Sequence, residues 1–336
     1  MKILITGITG FAGLNLYKNL SSENHEIIGF DRILNHSEHF NNAHIIKCDI
    51  NDYGTIAEVL KKFQPDHIYH FAAFVHVGRT EINPTELFET NVAGTVNLFE
   101  AVRNTCPDAR VLVTGSAEEY GAINHKMMPI REEYSLNPRN LYGLSKKFQE
   151  QSAKYYQETY GLDIVFTRTF HYFGPYQPRG FVCADFASQI IEIEQSGKDS
   201  INVGNLKAAR DFIDIRDAIA AYRYIMDKGK TGEIYNVCSA SAVSIESILE
   251  KFLSYAAKKI IINVDHEKLR PLDVPVFVGD NKKLTSLGWT QNFTLEESIE
   301  DVIIYWRNNK MEMPDKQSQR SHFDSYNNNM VINGSK

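Results

Sequence analysis

The stretch Lys2-Ile-Leu-Ile-Thr-Gly7-Ile-Thr-Gly10-Phe-Ala-Gly13 decides the fold. Lys2 to Thr6 read as a short apolar strand. Glycines then fall at 7, 10 and 13, and Leu14, Leu16, Tyr17 and Leu20 recur at helical spacing. A glycine turn lets backbone approach a pyrophosphate closely. The helix N-terminus behind it offers unpaired N–H groups and a positive dipole end to the same anion. Three glycines alone also describe an ordinary loop. Between a strand and a helix, heading a repeating pattern, they point to a dinucleotide site.

The pattern repeats downstream. A second strand, His25 to Phe30, ends at Asp31-Arg32. An acidic residue there binds adenosine ribose hydroxyls, whereas a neighbouring Arg holds a 2′-phosphate. Asp31 would repel that phosphate, so NAD(H) is favoured slightly over NADP(H). A turn residue is the plainer reading of Asp31. A third strand, Ala43 to Cys48, leads into Asp49-Ile50. Helix Tyr53 to Phe63, a fourth strand His67 to Phe71, small residues Ala72-Ala73, a helix around Leu87 to Asn104 and a fifth strand Arg110 to Thr114 follow. Strands alternating with helices through about residue 170 predict an α/β Rossmann fold, a doubly wound parallel sheet. Such sheets bind ligands beyond their carboxyl strand ends, where the Gly7 turn, Asp31, Asp49, Ala72 and Ser116 all fall.

The chain has 336 residues, 43% hydrophobic and 23% charged, which fits a globular protein with one large domain or two intimate ones. A net charge of −6 gives no reason to expect nucleic acid or an anionic membrane. No apolar run is long enough to span a bilayer, and the N-terminus is itself the first strand, so a cytoplasmic location is expected. Cys48, Cys106, Cys183 and Cys238 are scattered, as reduced half-buried thiols would be, and no metal site is expected. There are no internal repeats. Residues 313–336 are rich in Ser, Asn, Gln and charge and read as a flexible tail.

Tyr142 and Lys146, four apart at the head of a long helix, share a face. A phenol is a poor acid or base near neutrality, and a nearby ammonium is expected to pull it down. Ser116, at a strand end, is placed to hydrogen-bond the same substrate oxygen. In isolation such a pair is ordinary surface; its order after the glycine turn and the Ser116 strand gives it weight.

The glycine turn, Ser116 and Tyr142-x-x-x-Lys146 resemble the extended short-chain dehydrogenase/reductase family over roughly residues 1 to 308. Gly204-Asn-Leu-x-x-x-Arg210-Asp211-Phe212, Tyr235-Asn-Val-Cys and Leu269-Arg270-Pro-x-Asp273 are similar to the branch acting on GDP-mannose derivatives. That branch holds GDP-mannose 4,6-dehydratase and the GDP-4-keto-6-deoxymannose reductases. Gly115-Ser116-Ala-Glu-Glu-Tyr-Gly121 and Phe181-Val-x-x-Asp-Phe-Ala-x-Gln189 look closer to the reductases, since dehydratases usually carry Thr at the Ser116 position.

The resemblance implies a cofactor-binding domain over 1–170 and a mainly substrate-binding α/β domain over 171–312, with segments returning to the first sheet. It implies cofactor contacts from Gly7, Gly10, Phe11, Ala12, Gly13, Asp31, Arg32, Asp49, Ile50, Phe71, Ala72, Ala73, Tyr142, Lys146 and Thr169. The catalytic set is Ser116, Glu118, Tyr142 and Lys146. Substrate contacts are His171, Val182, Arg210, Arg270 and Asp273, the two arginines as guanidinium forks on a nucleotide diphosphate. His76 either faces the sugar or is a loop histidine without a role. One departure is Arg168-Thr169-Phe170-His171, where the branch reads Arg-Pro-Phe-Asn; His171 replaces an Asn that contacts substrate.

The expected activity is reduction of the C4 keto group of a 4-keto-6-deoxy nucleotide sugar by a homodimer. A 4,6-dehydratase using Glu118 is the alternative, then a 4-epimerase. From another class comes a non-catalytic NAD(P) sensor, which the presence of both Tyr142 and Lys146 disfavours.

Overall fold

The computed structural model describes residues 1–34, 39–75, 83–266 and 274–309. His76, Arg270, Asp273 and the 313–336 tail lie outside the described residues. The first half runs β1 (Lys2–Thr6), α1 (Phe11–Leu20), β2 (Glu26–Asp31), β3 (Ala43–Lys47), α2 (Tyr53–Phe63), β4 (His67–His70), α3 (Pro84–Phe88), α4 (Gly94–Thr105), β5 (Arg110–Ser116), α5 (Leu141–Tyr160) and β6 (Ile164–Thr169). The second runs β7 (His171–Phe173), α6 (Val182–Ser196), β8 (Ser200–Val203), β9 (Ala209–Asp214), α7 (Ile215–Lys228), β10 (Ile234–Val237), β11 (Ala242–Ser244), α8 (Ile245–Ser254), β12 (Ile261–Val264), β13 (Val276–Phe277), α9 (Lys282–Thr285) and α10 (Leu295–Asn308).

The main sheet has seven parallel strands in the order β10-β6-β5-β4-β1-β2-β3, the doubly wound Rossmann arrangement that the alternation predicts. Its strands are apolar on both faces because helices cover both. Successive β1 residues divide between them: Ile3 and Ile5 pack with α1, α7 and Trp289, whereas Leu4 packs with α2 and α4. β9 carries β11, β13 and β7, and β8 pairs with β12. Phe173, Phe186, Phe252 and Ile299 fill the core beneath that second group.

Strands β2, β3 and β4 shift by a residue from expectation, and two larger differences have a visible cause. The helix expected over Leu87 to Asn104 is broken by a π-helical turn at Glu89–Ala93. Asn91 sits in that turn, fully buried, and its amide bonds the Phe74 N–H (2.7 Å), the Phe74 carbonyl (3.1 Å) and Ser145 Oγ (2.9 Å). A tertiary contact, invisible in helical periodicity, sets the break. The fifth strand reaches Ser116 rather than Thr114, because Gly115 and Ser116 stay in register with Arg168 and Thr169 of β6. The four cysteines are free and fully buried, not half-buried. Among the described residues no helix is long and apolar enough to cross a membrane, and no cluster of three or more His, Cys, Asp or Glu could hold a metal ion.

Candidate active site

The site forms where β1, β4, β5 and β6 end. Gly7 has φ +69°, and a Cβ there would lie 2.8 Å from the Ala72 nitrogen. A Cβ on Gly13 would sit 2.3 Å from the Gly7 carbonyl oxygen. These two glycines close the turn. Gly10 differs: a Cβ there would meet only the Gly7 oxygen, at 3.2 Å. Helix α1 begins beside it with no side chain capping its N-terminus. Open ground before an uncapped helix end is what a dinucleotide pyrophosphate requires, so Gly10, Phe11 and Ala12 fit one.

Asp31 Oδ2 accepts from Thr9 Oγ1 at 2.7 Å and the Thr9 N–H at 3.2 Å, which fixes its carboxylate to the glycine turn. Arg32 turns outward and pairs with Glu86 at 3.0 Å. Asp49 accepts the Asn51 N–H at 2.9 Å. The Ile50 side chain is buried in the α2–α4 core, so any ligand contact it makes comes through its backbone. The Phe71 ring lies 5.6 Å from the Tyr222 ring, and the Tyr222 hydroxyl is 2.9 Å from that of Thr169. Ala73 follows Ala72 in the same half-buried loop.

Ser116 closes β5, and its Oγ accepts the Glu118 N–H at 3.2 Å. The Ser116 side chain lies close enough to the Tyr142 hydroxyl to act on it, so helix α5 and strand β5 present two hydroxyls together. Asn140 builds that approach. Its Oδ1 accepts the Gly143 N–H at 2.7 Å to cap α5, and its Nδ2 donates to Glu118 Oε2 at 2.7 Å.

The electrostatics depart from expectation. Burial pushes the Tyr142 phenol well above its ordinary value, only partly opposed by the nearby Ser116 side chain. The sequence reading had Lys146 pulling it down. Lys146 instead directs its ammonium to the Thr114 carbonyl and Gln149 Oε1, both at 2.8 Å. Burial pushes Lys146 itself down to about 8, against the attraction of Glu119.

Glu119 is one of several residues that the motif reading passed over. It is fully buried, and Oε1 accepts the Ser116 N–H at 2.7 Å. Burial, then the nearby Glu150 charge, raises it to about 8. Glu150 and Arg168 form a buried bidentate pair between α5 and β6. Two signals were available. Ser116-x-x-Glu119 is a capping-box spacing, and Arg168 interrupts an otherwise uncharged strand.

Among the substrate candidates, His171 opens β7 with its ring 5.7 Å from Phe212 and 6.5 Å from Phe277. Val182 opens α6, half-buried. Arg210, on β9, donates to the Ala209 carbonyl at 2.9 Å and the Val274 carbonyl at 2.7 Å, tying β9 to the start of the β13 segment.

A family model described as GDP-mannose 4,6 dehydratase matches residues 4–302. The GDP-6-deoxy-D-mannose reductase of Pseudomonas aeruginosa is 29% identical over 244 residues, 72% of this chain and 80% of that protein. The dTDP-glucose 4,6-dehydratase of Xanthomonas campestris is 27% identical over 333 residues, 91% of this chain and 93% of that one. The structure of RMD from Pseudomonas aeruginosa complexed with NADPH superposes with a TM-score of 0.82 at 25% identity, covering 91% of this chain and 99% of that one. That of dTDP-glucose 4,6-dehydratase from Bacillus anthracis in complex with NAD gives 0.80 at 25%, covering 93% and 98%. With this fold, this glycine turn and a model matched over nearly its whole described length, the chain belongs to the GDP-mannose 4,6 dehydratase family of NAD(P)-dependent nucleotide-sugar enzymes.

Proposed function

We propose that this enzyme reduces the C4 keto group of a GDP-linked 4-keto-6-deoxy sugar with a reduced nicotinamide cofactor. The observation that carries the reading is the phenol of Tyr142 at the head of α5, set close to Ser116 at the end of β5 and kept protonated by burial. Reduction of a ketone needs an acid at its oxygen, whereas a reaction that begins by oxidising an alcohol needs a base there. The likeness to a GDP-6-deoxy-D-mannose reductase supports the same substrate class.

The nicotinamide, when bound, supplies the hydride. The Gly7 turn and the α1 N-terminus hold its diphosphate. Asp31 takes the ribose hydroxyls and, with Arg32 engaged by Glu86, favours NAD(H). Ser116 and Tyr142 converge on the keto oxygen. As C4 gains hydride, Tyr142 gives its proton to O4, and the C=O becomes CH–OH. Lys146 stabilises the phenolate left behind, which regains a proton from water. Arg210 and Arg270 grip the diphosphate, Asp273 a ribose hydroxyl, and His171 and Val182 line the sugar.

The 4,6-dehydratase reading keeps one observation in its favour: Glu118 is a half-buried carboxylate beside Ser116, oriented by Asn140. Cofactor absorbance decides between them. Stoichiometric oxidation of NADH or NADPH by GDP-4-keto-6-deoxymannose supports the reductase. Conversion of GDP-mannose to a keto sugar with no net cofactor change refutes it. A homodimer through α4 and α5 accounts for the aromatic face of α5, where Phe148, Tyr155 and Tyr160 are 47%, 55% and 44% exposed.

A further inference from the structure

The Lys146 ammonium only donates, so Gln149 must turn its carbonyl oxygen towards it and its NH2 away. That NH2 donates to Thr95 Oγ1 at 2.8 Å. Thr95 has one hydroxyl proton and gives it to the Asn91 carbonyl at 2.7 Å, so towards its other neighbours it accepts. His70 Nε2, 2.9 Å away, therefore carries the ring proton. Nδ1 is then bare and takes the Thr6 hydroxyl proton at 2.8 Å. Thr6 Oγ1 in turn accepts the N–H groups of Phe71 (3.2 Å) and Ala72 (3.0 Å). Thr6, His70, Thr95, Lys146 and Gln149 are all buried. Burial pushes His70 down to about 3, so the ring keeps the single proton that the line requires.

Each proton along this line has one allowed position. The line ends on peptide N–H groups, which release no proton, so it is an anchor and not a conduction path. It runs from the lysine to the loop against which Gly7 packs.

We infer that Gln149 is a positioning residue: its carboxamide, locked through Thr95 and His70 to the loop after β4, holds the Lys146 ammonium charged and in place one helical turn from Tyr142. The inference rests on the reading of Lys146 as the partner of Tyr142. The other titratable groups acting on Lys146 are Glu119, which favours the ammonium, and His70, which is neutral. Of the two oxygens holding the ammonium, Thr114 O belongs to the strand, and Gln149 alone offers a replaceable side chain.

The test titrates Lys146 directly, by Cε chemical shift in lysine-labelled protein with the signal assigned by its loss in Lys146→Met. This readout needs no substrate. Gln149→Leu removes the acceptor and is expected to lower the midpoint. Gln149→Glu puts a carboxylate in its place and is expected to raise it, by about one pH unit or more. Thr95→Val leaves Gln149 but unlocks it, and should move the midpoint in the direction of Gln149→Leu. Opposite movement in the Leu and Glu variants is a result that a space-filling role would not give. If Gln149→Leu does not fold, Gln149→Glu and Thr95→Val still decide. The alkaline limb of kcat with NADPH and GDP-4-keto-6-deoxymannose should follow the same midpoints, with KM for the sugar nucleotide little changed. Midpoints that stay at the wild-type value in the folded variants overturn the inference. Wild-type turnover in Lys146→Met and Tyr142→Phe would instead overturn the catalytic reading beneath it.

Discussion

Glu150→Ala is expected to be among the most destabilising single changes in the molecule. Glu150 and Arg168 meet through two bonds, Nε to Oε2 at 2.9 Å and Nη2 to Oε1 at 2.8 Å, with side chains only 7% and 4% exposed. Removing the carboxylate leaves a buried guanidinium with the Tyr120 hydroxyl (3.1 Å) and the Glu132 carbonyl (2.8 Å), neither of which carries a full negative charge. Breaking one side of such a pair costs about 3–5 kcal/mol, whereas an exposed pair would cost about 1 kcal/mol or less. In a chain of this size that lowers Tm by about 5 °C. The pair joins α5, which bears Tyr142 and Lys146, to β6, so turnover should fall further than cofactor binding. Replacing both partners, Glu150→Met with Arg168→Met, removes the stranded charge and should recover most of the loss. Urea and thermal unfolding of the three variants at neutral pH measure this. A single variant that loses less than about 1 kcal/mol, or a double variant as unstable as the single, refutes the reasoning.

Tyr142→Phe should keep the fold and cofactor affinity while turnover falls about a hundredfold or more; near wild-type rates would remove Tyr142 from the mechanism. Arg210→Ala and Arg270→Ala should each weaken sugar-nucleotide binding about ten- to a hundredfold with cofactor affinity nearly unchanged. Titration of both ligands into each variant checks this, and the reverse pattern would put the substrate on the wrong half of the protein. Glu119, raised by burial from 4.5 to about 8, binds more protons folded than unfolded between those values. Its contribution to stability is full below pH 4.5 and is lost as pH rises through about 8. Glu119→Gln should therefore lose less stability than wild type between pH 5 and pH 8, and parallel urea-derived profiles would count against a proton on Glu119. Phe148→Glu should turn a homodimer into monomers by light scattering; an unchanged mass would place the interface elsewhere.

What was legible in the sequence was local. The glycine turn announces itself by spacing. Asp52 and Asn140 cap α2 and α5 at the boundaries that periodicity gives, and Gly161 ends α5 with φ +72°. The motifs put Ser116 at a strand end and Tyr142 and Lys146 at the head of a helix, where β5 and α5 carry them. The illegible part was the buried polar framework. Asn91 breaks its helix because Phe74 and Ser145 lie opposite it, residues 17 and 54 positions away. The Lys146 ammonium is held by oxygens of Thr114 and Gln149, and no i,i+4 rule counts those competitors. The direction of the Tyr142 shift failed for the same reason: pairwise charge reasoning omits burial, which dominates here.

The last strand to join the main sheet is made late. β10 pairs with β6 from Ile234↔Phe166 to Val237↔Thr169, and the part of one apolar sheet face that α1 leaves open is covered only when α7 and Trp289 are in place. During synthesis the strands β5 and β6 therefore leave the ribosome with Leu112 and Val165 incompletely covered until some fifty further residues, and for Trp289 over a hundred, have emerged. A fragment ending at residue 170 would keep that part of the face exposed and be prone to aggregate. The core of the first half is completed only by the second.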